Sequence, residues 1–63
     1  MGLRLVKLYE FAEKNGGLPL KMRIAMKTGV PSAKAQAAPD SDELINKARA
    51  VIKEVTGRDA PPV

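Results

Sequence analysis

The chain has 63 residues and a formal charge of +4, with 11 Lys and Arg against 7 Asp and Glu. It contains neither cysteine nor histidine, so disulfides, thiol nucleophiles, imidazole bases and the usual zinc ligands are all excluded. A domain this short buries only about 60% of the surface that its unfolded chain exposes. Its stability must therefore come from helix packing or from association.

Tyr9 and Phe11 are the only aromatic residues, so the expected core is aliphatic, with methionine as filler. No apolar run approaches the ~20 residues needed to cross a bilayer. The start Met1-Gly2-Leu3-Arg4 is charged too early for a secretory signal, and no membrane partner is expected. The cytoplasm is the expected location.

Residues Leu3 to Asn15 read as a helix, because Leu5, Leu8, Tyr9 and Ala12 recur at i, i+3, i+4, i+7. Phe11 widens that stripe, and Lys7, Glu10, Glu13 and Lys14 take the other side. Asn15-Gly16-Gly17 supplies the stop. A second helix is expected from Pro19 to Thr28, since proline suits a first helical turn and Thr28-Gly29-Val30-Pro31 combines a glycine cap with a proline beyond it. One pattern disagrees: Leu18, Leu20, Met22, Ile24 and Met26 alternate with other residues, which is strand periodicity. Only Ile24 in that run is β-branched and no second strand exists for it to join, so composition favours helix. In that helix Leu20 and Ile24 share one flank, with Met22 and Met26 nearly opposite. Such an element needs cover on two sides, from its own chain or from a partner.

The alanine-rich stretch between Pro31 and Pro39 supports a short helical turn near Ser32 to Ala37, with Ser32 as its expected N-cap and little to bury. Asp40-Ser41-Asp42-Glu43 then opens the last helix, Asp42 to Thr56, with Asp40 and Glu43 at capping-box spacing. Leu44, Ile45, Ala48, Val51, Ile52 and Val55 form its stripe, and Gly57 closes it. The expectation is thus one all-α domain, residues 1–57, a small bundle of three main helices plus a short helical turn. Residues 58–63 are expected to be a flexible tail. The expected core is Leu5, Leu8, Tyr9, Phe11, Leu20, Ile24, Val30, Leu44, Ile45, Ala48, Val51, Ile52 and Val55.

Charge is distributed unevenly along this plan. From Lys14 to Ala38 there is no acid, while Lys14, Lys21, Arg23, Lys27 and Lys34 contribute five positive charges; the remaining residues sum to −1. Clustered bases create a positive potential suited to an anionic partner. No catalytic constellation accompanies it: Ser32 and Ser41 sit where capping explains them, the acids at 40, 42 and 43 mark a helix start, and Gly16-Gly17 lacks the rest of a phosphate loop. No enzyme activity, cofactor or metal is expected.

The stretch from Arg23 to Ala35 resembles a helix-turn-helix, with Ala25 four residues before Gly29, an apolar Val30 and a new helix start. That resemblance implies a DNA-binding module whose second helix would contact DNA through Ser32, Lys34 and Gln36, with Lys21, Arg23 and Lys27 as further candidate contacts to an anion or nucleic acid. Pro39 limits the second helix to about two turns, and its set of contacts holds no arginine for guanine and no aromatic to stack on a base. A dimeric ribbon-helix-helix lacks an apolar stripe in its following helix. The leading expectation is a small non-catalytic binding or assembly module, acting on an unidentified protein partner or as a homo-oligomer, with Met22 and Met26 at the interface. Nucleic-acid contact, if made, is expected to be weak and independent of sequence.

Overall fold

Helix α1 (Leu3–Asn15), helix α2 (Gly17–Thr28), a 3₁₀ helix (Ser32–Ala37) and helix α3 (Asp42–Thr56) follow one another in the computed structural model, which describes residues 2–60. Among those residues there is no strand, and the fold is the all-α bundle of three main helices with a short helical turn. Leu5, Leu8, Tyr9 and Ala12 of α1 meet Leu20 and Ile24 of α2 and Ile45, Ala48, Val51 and Ile52 of α3 in one core. Helix α2 packs on both α1 and α3, most extensively on α3.

The helical state of α2 resolves its alternating pattern. Leu20 and Ile24 are fully buried, whereas Leu18, Met22 and Met26 face solvent. Each set recurs every four residues, which is a ridge along one side of a helix. Two such ridges offset by two residues produce period-two alternation in the sequence without any strand.

Helices α2 and α3 end by the same device. Thr28 Oγ1 donates to Ile24 O at 2.8 Å and accepts from Val30 N–H at 3.2 Å. Thr56 Oγ1 likewise donates to Ile52 O at 2.7 Å and accepts from Arg58 N–H at 3.1 Å. The glycine after each threonine is left-handed, Gly29 at φ 77° and Gly57 at φ 74°, and its N–H returns to the fourth carbonyl before it. An Ile-x-x-x-Thr-Gly ending thus occurs twice in the chain.

Several sequence-based expectations need correction. Asp40 does not cap α3: the N-cap is Ser41, without a side-chain hydrogen bond, because Arg4 takes Asp40 instead, Nε to Oδ1 at 2.7 Å, and reaches Asp42 Oδ1 at 2.8 Å. Ser32 is the first residue of the 3₁₀ helix rather than its cap, which is Pro31. Helix α2 begins at Gly17, two residues before Pro19, so Leu18 belongs to its first turn. Val55 is 45% exposed, because it falls at the edge of the α3 stripe beside a polar cleft with Lys14 and Arg58. Leu44 is half-buried, while Phe11 and Val30 pack, partly buried, against the core.

The alanine-rich segment buries more than its composition suggests. Ala35 and Ala38 join the core, three residues apart as one face of a 3₁₀ helix requires. Residue 2 lies against the backbone carbonyls of Ala35 and Ala38, and its N–H donates to Gln36 O at 3.2 Å. Ala60 is also buried, and Lys53 Nζ holds Asp59 at 3.0 Å, so packing continues three residues past Gly57. The rest of the expected tail, residues 61–63, lies outside the described residues.

Candidate docking surface on helix α2

Helix α2 presents its outer ridge because its inner ridge is fully engaged. Leu18, Met22 and Met26 are 63%, 57% and 83% exposed, against 1% and 0% for Leu20 and Ile24. At 1.5 Å per residue the outer ridge runs about 12 Å, a little over two turns. No described residue covers it. Isolated exposed apolar side chains are ordinary, but three in one row on a 63-residue chain form a contiguous strip.

Bases flank the strip on both sides. Lys21 leans toward α1, with Nζ 3.6 Å from Glu13 Oε1. Arg23 and Lys27 lie on the side facing α3, where they line a groove of about 450 Å³ with Met26, Val51 and Glu54. Among the described residues neither Arg23 nor Lys27 forms an ion pair, and Glu54 on the opposite rim forms none either. Helix α2 itself contains no acid.

The six residues expected to contact an anion or nucleic acid are therefore not brought to one face. Lys21 sits toward α1, and Arg23 and Lys27 sit toward α3. Ser32, Lys34 and Gln36 are exposed on the 3₁₀ helix, and Lys34 lines a separate apolar hollow with Gly29, Val30 and Pro31. At three residues per turn, Lys34 and Gln36 point in different directions. The element after the turn is a six-residue 3₁₀ helix packed on α1. Leu18 was missing from the expected interface because it preceded the expected helix start. Its spacing of four from Met22 was the signal that could have included it.

Arg4 and Tyr9, by contrast, are tied into the fold. Arg4 is held in its charged form first by its hydrogen bond to Asp40 and then by that to Asp42. Tyr9 donates its hydroxyl to Val30 O, fixing α1 to the turn after α2. Burial pushes the Tyr9 hydroxyl above its ordinary value, and hydrogen bonding with Thr28 opposes that shift. Among the described residues no group of acids, cysteines or histidines is placed to hold a metal ion, and no helix is long and apolar enough to cross a membrane. Comparison with protein-family models, curated proteins and solved structures gives no match, so the assignment rests on this chain's own residues.

Proposed function

We propose that this protein is a small non-catalytic binding or assembly module of the cytoplasm, working through protein–protein or self-association contacts on the outer face of α2. The observation that carries this reading is the uncovered row Leu18, Met22 and Met26 on a helix whose other face completes the core. Covering three such side chains removes apolar area from water at about 25 cal/mol per Å². Methionine adapts its shape to varied partners. Affinity capture with mass spectrometry, together with sedimentation, tests it. Met22→Glu with Met26→Glu should abolish partner capture or dissociate a homo-oligomer without unfolding the chain, since only an interface would have to desolvate the new charges. Identical partners and assembly state in the double variant would refute the reading.

A second reading is a helix-turn-helix-like DNA binder. It is favoured by the acid-free run from Lys14 to Ala38, in which Arg23, Lys27 and Lys34 remain without ion pairs among the described residues. Binding through these bases and Lys21 would be non-specific, in the range of about 10⁻⁴–10⁻⁶ M, and would fall steeply with salt. Lys21→Glu with Lys27→Glu should abolish it. Nanomolar affinity for one duplex over scrambled controls would put this reading first.

A further inference from the structure

We infer that the occupant of the α2 face is an acidic amphipathic helix of another protein, seated along Leu18, Met22 and Met26 and into the groove between α2 and α3. This rests on the docking reading above and goes further by choosing among occupants. The choice follows from charge and shape together.

A second copy of the chain is disfavoured by charge. Every charged side chain on α2 is basic: Lys21, Arg23 and Lys27. Two α2 faces related by a two-fold axis set the Arg23 and Lys27 edge either against its own counterpart or against the Lys21 edge. The first places base against base around a desolvated apolar row, where like charges cost most, and the second sets Arg23 and Lys27 against a Lys21 that Glu13 already holds at 3.6 Å. An anionic bilayer would meet the apolar ridge and the bases, but a plane cannot reach Val51 on the floor of the groove. A phosphate backbone would meet Arg23 and Lys27 only by desolvating Met22 and Met26 against a polar ligand. Either polyanion laid across the groove would also face Glu54 on its far rim.

A partner helix satisfies every one of these conditions. Apolar residues at i, i+4 and i+7 match a ridge of about two turns and place one side chain over Val51 and Met26. Acids along the edge facing α2 meet Arg23 and Lys27, and a lysine on the other edge meets Glu54. Among the described residues all three charges are without ion pairs, and such a partner would supply one to each.

The test uses the full chain and three synthetic helical peptides of about four turns. The first carries leucines at i, i+4 and i+7 with glutamates on one edge; the second is its scramble, and the third has the glutamates replaced by lysines. Fluorescence anisotropy should show binding of the acidic peptide alone. Arg23→Glu with Lys27→Glu should weaken it by roughly five- to tenfold and transfer the preference to the lysine peptide. Met22→Glu with Met26→Glu should abolish it, with circular dichroism confirming that both variants remain folded. Acidic-peptide binding that survives the methionine substitutions overturns the placement on α2. So does a concentration-dependent dimer dissociated by Met26→Glu, which would make the occupant a second copy. Co-sedimentation with phosphatidylserine vesicles, without peptide binding, would make it a membrane. If peptides fail while captured partners still depend on Met22 and Met26, only this inference falls; if nothing depends on the methionines, the docking reading falls with it.

Discussion

Gly2→Ala is the substitution whose cost follows most directly from the packing. A Cβ at residue 2 would lie 2.0 Å from the carbonyl oxygen of Ala35 and 3.1 Å from that of Ala38. Both obstacles are backbone atoms, so no side chain can rotate aside. One route of relief moves the 3₁₀ helix by about 1 Å, an overpacking adjustment that costs about 1–3 kcal/mol. The other swings residue 2 outward, losing its bond to Gln36 O. A lost hydrogen bond costs about 0.5–1.5 kcal/mol, and about 1–3 kcal/mol at most where the group left behind stays buried without a partner. The cheaper route sets the outcome, near 1–2 kcal/mol. At about 4–8 °C per kcal/mol for a domain of this size, the melting midpoint should fall by roughly 5–15 °C. Thermal circular dichroism measures this, with Leu3→Ala as the control: Leu3 is 55% exposed and its truncation should cost under about 0.5 kcal/mol. Equal midpoints for wild type and Gly2→Ala would refute the close approach of residue 2 to the 3₁₀ helix.

Tyr9→Phe should destabilise the fold by about 1 kcal/mol through loss of the bond to Val30 O, read in a urea melt. Because burial raises the Tyr9 pKa in the folded state, that contribution is whole below pH ~10 and is lost as pH rises through the folded value, so Tyr9→Phe should flatten the alkaline limb of the stability profile. Ile24→Ala should cost about 2–5 kcal/mol, a large share of the roughly 3–9 kcal/mol expected of a 63-residue domain. An unaffected denaturation midpoint would remove α2 from the core. Asp40→Ala should leave the melting midpoint nearly unchanged at physiological salt, since Asp42 still holds Arg4 and both acids are solvated; a loss comparable to that of Gly2→Ala would show that Asp40 caps α3 after all.

Helices α1 and α3 were readable in the sequence because each buries one stripe, and a single stripe leaves an unmixed helical period. Helix α2 was harder because its inner and outer ridges interleave, and only composition separated helix from strand. Ala35 and Ala38 escaped notice for a different reason: methyl groups contrast little with their neighbours, and a three-residue period is short-lived. Asp40 had a local partner at capping distance and a stronger one in Arg4, 36 residues earlier. Nothing in the local pattern could rank them. The candidate surface divides along the same line. Met22 and Met26 followed from helical phase alone, whereas the groove needed α3 beside α2, and no spacing announces that Val51 and Glu54 stand across from Arg23 and Lys27.

The size of one stability change decides whether the outer ridge of α2 is surface or unfinished core. Met22→Gln with Met26→Gln preserves side-chain length while replacing the thioether with an amide. Were these methionines core filler, burying two amides without partners would cost several kcal/mol, since each unsatisfied polar group costs about 1–3 kcal/mol. At 57% and 83% exposure the amides instead remain hydrated, and the change should stay within about 0.5 kcal/mol. A urea melt resolves values so far apart. Unchanged stability with lost partner binding would place the methionines at an interface. A loss of several kcal/mol would mean that α2 is covered on both sides in solution, and the free face would be refuted.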